Sequence, residues 1–70
     1  MYLIFDTYEQ ADARNRKAIT DRNWPLGTTE KMWDEIELDN GQWALNVGNG
    51  DWLTEEEIEQ AINEIQPVAN

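Results

Sequence analysis

The dipeptide Asn40-Gly41 sits between two runs of strand-like residues in "EKMWDEIELDNGQWALNVG", residues 30–48. Both residues tolerate positive φ, so the pair predicts a two-residue hairpin turn of type I′. Such a loop fixes the pairing. Asp39 then faces Gln42, Leu38 faces Trp43, Ile36 faces Leu45 and Asp34 faces Val47. That register gathers Ile36, Leu38, Trp43, Leu45 and Val47 on one side of a sheet. It leaves Glu37 opposite Ala44, Glu35 opposite Asn46 and Trp33 near Gly48 on the other. A slip of one residue would exchange the two sides. Trp33 is thus expected on the face away from the helices.

The flanking segments complete the pattern. "YLIFD" (2–6) reads as a strand closed by a turn residue. Thr7 or Asp6 can cap the helix that follows, with Gln10 or Glu9 reaching back three residues later. Asp12 and Arg16 are four apart in the stabilising order. At helical spacing Tyr8, Ala11, Ala18 and Ile19 share a face with Asn15 at its centre. An amide there is expected to bond locally or lie at the rim. "RNWPLGTT" (22–29) is a loop, because Pro25 drives Trp24 out of helical geometry. Near the C-terminus Thr54 and Glu57 form a capping box, with Leu53 and Ile58 as its hydrophobic staple. Ile58, Ala61, Ile62 and Ile65 make the apolar stripe, and Pro67 marks the end. The expected fold is α+β, in the order β-α-β-β-α. Its three-stranded sheet has order 1-3-2, with two helices on one face. One domain covers 1–66, and 67–70 form a short tail.

Composition narrows the chemistry. Seventy residues bury only roughly 60% of the unfolded surface, so a chain of this size depends on efficient packing or self-association. Cysteine and histidine are both absent. Disulfides are excluded, and any metal would have to be held by oxygen alone. The glycines at 41, 48 and 50 would start calcium loops at Ile36, Trp43 and Leu45, none of which is a ligand. "VGNGDW" has Leu53 where a dinucleotide fingerprint needs its third glycine. Glycoside hydrolysis uses paired carboxylates, but it also needs a sugar-binding cleft that so short a chain has hardly the volume to build. No metal, cofactor or catalytic residue is assigned, and the chain is read as non-enzymatic. The apolar run after Met1 is too short for a signal segment, and nothing approaches the ~18 apolar residues of a membrane span.

The net charge is -10. Residues 1–31 hold five acids and all five bases, so the entire excess falls in residues 32–70. Direct nucleic-acid binding, which needs clustered cations, is not expected. The acidic-surface candidates are Glu55, Glu56 and Glu59. Glu57 and its neighbours also suit the positive end of a helix. Trp43 is expected in the core and Trp52 at the base of the second helix. Trp33 and Trp24, with Glu35, Glu37 and Ala44, are the interface candidates, exposed Trp being a favoured anchor.

"MYLIFDTYEQADARNRKAI", "NWP", "DNGQWALNV" and "LTEEE" together resemble small uncharacterised proteins of tailed bacteriophages. The similarity spans most of the chain, though this first helix is poorer in alanine than is usual there. The resemblance implies a non-enzymatic viral protein, often encoded near virion and tail genes, in host cytoplasm or virion. A protein partner or self-association is expected, and no membrane. The alternative is an acidic nucleic-acid mimic that occupies the cationic groove of a host enzyme.

Overall fold

A computed structural model describes residues 1–22 and 31–69 of the chain. Strand β1 (Tyr2–Phe5) leads into helix α1 (Tyr8–Asp21), then β2 (Glu35–Glu37), β3 (Trp43–Asn46) and helix α2 (Glu55–Gln60). The sheet has order β1-β3-β2, and β3 pairs antiparallel with both neighbours. This is the α+β arrangement expected from the sequence, with the uncharged β3 in the centre and the acidic β2 at an edge. Among the described residues no helix is long and apolar enough to cross a membrane.

Both helix starts follow from their caps. Thr7 Oγ1 accepts from Gln10 N–H at 3.1 Å, while Gln10 Oε1 accepts from the N–H groups of Asp6 and Thr7. Thr54 and Glu57 repeat the exchange at α2. Each box satisfies backbone donors that the first helical turn cannot. The buried face of α1 is Ala11, Asn15 and Ala18. Its small residues let the helix lie close to Leu3, Leu45 and Val47, and Met1, Phe5, Trp33, Trp43 and Leu53 close the cluster.

The hairpin differs from expectation by one residue. Glu35 faces Leu45, Ile36 faces Ala44 and Glu37 faces Trp43. The loop has three residues rather than two. Leu38 N–H donates to Gln42 O at 2.8 Å, Gly41 N–H donates to Leu38 O at 3.0 Å, and Gly41 alone takes the left-handed conformation, at φ 88°. Three-residue hairpin loops commonly carry a glycine in this conformation at their third position. Asn40 favours it by accepting from Gln42 N–H through Oδ1 at 2.9 Å, a side-chain turn that competes with the tighter loop. The slip moves Trp33, Glu35 and Glu37 to the α1 side and sends Ile36 and Leu38 to the other. Trp33 packs against the core cluster, so its expected place on the far face is corrected. Trp43 stays on the α1 side, edge-on to Tyr8 at 5.0 Å.

The far face is covered too. Helix α2 stops at Gln60, because Ala61 is already extended at ψ 147°. The stripe expected to continue through Ile62 and Ile65 becomes a strap instead. Ile62 exchanges two backbone bonds with Tyr2 at the outer edge of β1. Asp39 N–H then donates to Gln66 O at 3.1 Å, and Val68 N–H donates to Glu37 O at 3.0 Å, at the outer edge of β2. Residues 62–68 thus link the two outer edges of the sheet. Pro67 is tolerated because the bonds of its bridge to Leu38 come from Gln66 and Val68. The expected tail at 67–70 is therefore a paired segment through Val68. Ala44, at 0% exposure, and Leu38 lie buried on this side.

Ending the chain after Ile65 removes the two bonds to β2 and uncovers Leu38. An expected loss of about 1–3 kcal/mol follows from two backbone hydrogen bonds and one apolar side chain, measured by urea denaturation. Unchanged stability would mean that residues 66–69 do not hold the edge.

Candidate functional site

Among the described residues, polar side chains gather in two places. The first lies between α1 and the entrance to β2. Asn15, 1% exposed, grips the Trp33 peptide from both ends. Its Nδ2 donates to Trp33 O at 2.8 Å and its Oδ1 accepts from Trp33 N–H at 3.0 Å. The same Nδ2 reaches Glu35 Oε2 at 3.3 Å. The expectation of a local or rim amide is thus corrected, since the partners of Asn15 lie 18 to 20 residues away. A two-ended amide contact of this kind substitutes for a strand partner.

Around it lies a charged layer. Lys31 Nζ donates to the Glu35 carboxylate and lies 3.7 Å from Asp12 Oδ1. Arg16 holds Asp12 at 2.8 Å, the pair expected from spacing. The Glu35 side chain is only 6% exposed, so the slipped register is tolerated because Lys31 and Asn15 satisfy this carboxylate. Burial pushes the Asp12 carboxyl up. The hydrogen bond and charge of Arg16, with the charge of Lys31, outweigh that and leave it below the usual aspartate range. The Glu35 bond raises Lys31 above an ordinary lysine. Among the described residues no group of three or more acids is placed to hold a metal.

A second ionic contact docks α2 onto α1. Arg14 forks onto Glu57, with Nε at 2.7 Å and Nη2 at 3.0 Å, and lies over the Trp33 ring at 5.3 Å. The Arg14 hydrogen bond holds the Glu57 carboxyl at about 2, from an ordinary 4.5, against the opposing effect of burial. Trp52 is 56% exposed, with the Arg22 guanidinium stacked on it at 3.5 Å. It covers the end of α1 rather than the base of α2.

The second place is a cleft of about 470 Å³ between the strap and the far face of the sheet. Ile4, Leu38, Ile62 and Ile65 supply its apolar part. Asp39, Asn40, Gln42, Glu64 and Gln66 supply the polar part, and among the described residues no cation lines it. Gln42 Nε2 donates to Asp6 Oδ1 at 3.1 Å, tying the hairpin loop to the end of β1.

The expected interface set is not brought together. Trp33 and Glu35 are engaged under α1, Ala44 is buried under the strap, and Glu37 is exposed with its carbonyl bound to Val68. Trp24 lies outside the described residues. Glu55, Glu56 and Glu59 are exposed along α2. The cleft residues carry no motif of their own. Comparison with protein families, curated proteins and solved structures finds no match for this chain.

Replacing Asn15 with Ala strips both ends of the Trp33 peptide of their partner. It should cost about 2–3 kcal/mol, since buried groups are left unsatisfied, as read from urea denaturation. A cost under about 0.5 kcal/mol would show that the clasp is incidental. Glu57 gives a pH test. Its folded pKa lies below the unfolded value, so its contribution is complete above pH 4.5 and fades as pH falls toward 2. Glu57→Gln should therefore be less stable than the parent at pH 7, by about 1–3 kcal/mol. The gap should close in acid. A gap independent of pH would contradict the ion pair.

Proposed function

We propose that this protein is a non-enzymatic interaction module that binds a partner protein through a cationic surface on that partner. The supporting observation is how charge is divided over the fold. All five bases belong to α1, its C-cap Arg22 or the segment entering β2. Arg14, Arg16, Lys17 and Lys31 are occupied by Glu57, Asp12, Asp21 and Glu35. The ten other described carboxylates form no ion pair among the described residues. They include Glu37, Asp39, Glu55, Glu56, Glu59 and Glu64, beyond the reach of these paired cations. A field of one sign speeds encounter with surfaces of the opposite sign and rejects like-charged ones. It also disfavours direct contact with nucleic acid.

The bacteriophage resemblance supplies the setting. In this reading the chain is a minor tail or virion component, or an assembly helper, and its partner is another protein of the particle. The test is affinity capture with the tagged full chain from infected cells and from assembled particles. Virion proteins with basic surfaces should be retained at ~0.1 M salt and released near ~0.5 M, where screening shortens to a few ångströms. Retention only of a host nucleic-acid enzyme, displaced by DNA, would contradict the virion assignment and favour mimicry. Capture insensitive to salt would contradict the electrostatic reading.

A further inference from the structure

We infer that the cleft under the C-terminal strap is the docking site for an extended peptide segment of that partner, one carrying Lys or Arg beside an apolar residue. This rests on the cationic-partner reading and gives it a place. The cleft's volume, about 470 Å³, lies in the range of sites that take small ligands and side chains. Its chemistry has two parts. Ile4, Leu38, Ile62 and Ile65 offer an apolar surface, and Ile62 is 41% exposed despite its two backbone bonds to Tyr2. Asp39 and Glu64 border it, from the hairpin loop and the strap, with no cation among the lining residues. The charged cluster at Asp12, Arg16, Lys31 and Glu35, by contrast, is neutralised from within.

An apolar side chain flanked by cations complements both parts at once. It would bury the exposed isoleucine surface and bring an ammonium or guanidinium to each acid. An acidic or purely polar segment complements neither. The amides of Asn40, Gln42 and Gln66 at the rim suit the peptide backbone of the same segment.

The experiment is an NMR titration of the isotope-labelled full chain with three capped peptides: Arg-Leu-Arg-Leu-Arg, Arg-Ser-Arg-Ser-Arg and Glu-Leu-Glu-Leu-Glu. The first should shift the amides of Ile4, Leu38, Gln42, Ile62 and Glu64. The second should bind at least ~10-fold more weakly, an amount that corresponds to about 1.4 kcal/mol, and the third should not bind. Asp39→Asn combined with Glu64→Gln should weaken the first peptide by a similar factor. Neutralising Glu55, Glu56 and Glu59 together should leave it within ~2-fold. Shifts centred on α2, or equal binding of the leucine and serine peptides, would overturn the cleft while sparing the cationic-partner reading. Absence of binding by either arginine peptide would overturn both.

Discussion

The rest of the structure depends on the grip of Asn15 on the Trp33 peptide. That amide binds the backbone just before β2 at both its N–H and its carbonyl. In doing so it sets which residues of β2 face α1. Trp33 and Glu35 turn toward the helix, and Ile36 and Leu38 must face the opposite way. The three-residue loop at the hairpin tip enforces the same register from the other end. Two constraints at opposite ends of a three-residue strand leave little room for slippage.

This register explains why the sheet needs cover on both faces. Leu38 and Ala44 would be wet on the side away from α1 if the chain ended with α2. The strap supplies the missing layer and closes both sheet edges with backbone hydrogen bonds. A small domain without disulfides has few other means of adding buried surface. The short α2 then acts less as a second layer than as a connector, held to α1 by Arg14 and Glu57 and delivering the chain to the edge of β1.

Local chemistry is readable from the sequence, and nonlocal chemistry is not. Both capping boxes, the Asp12–Arg16 pair and the general site of the hairpin follow from spacing, and the strand order from the absence of charge in "QWALNV". The register does not, because apolar alternation marks the helix side only when the other face is open. With both faces covered, Ile36 and Leu38 are as well placed under the strap as under α1. Asn40 adds to the ambiguity, since its side chain stabilises the longer loop while its backbone preference suggests the shorter one. The end of α2 is hidden for a related reason. Ile62 and Ile65 keep a helical period, but the open edge of β1 offers hydrogen bonds that compete with the helix. Among the interface candidates Trp33 and Glu35 inherit the wrong face from the register, whereas Ala44 keeps its expected face and is buried there. The cleft depends on the strap's path, which no local pattern encodes.

The register of β2 against β3 is the most direct test. Interstrand nuclear Overhauser contacts in the full chain report it without any substitution. Contacts pairing Ile36 with Ala44 and Leu38 with Gln42 are the predicted result. Contacts pairing Ile36 with Leu45 and Leu38 with Trp43 would place Trp33 outside, empty the strap's binding face of its purpose and contradict the account.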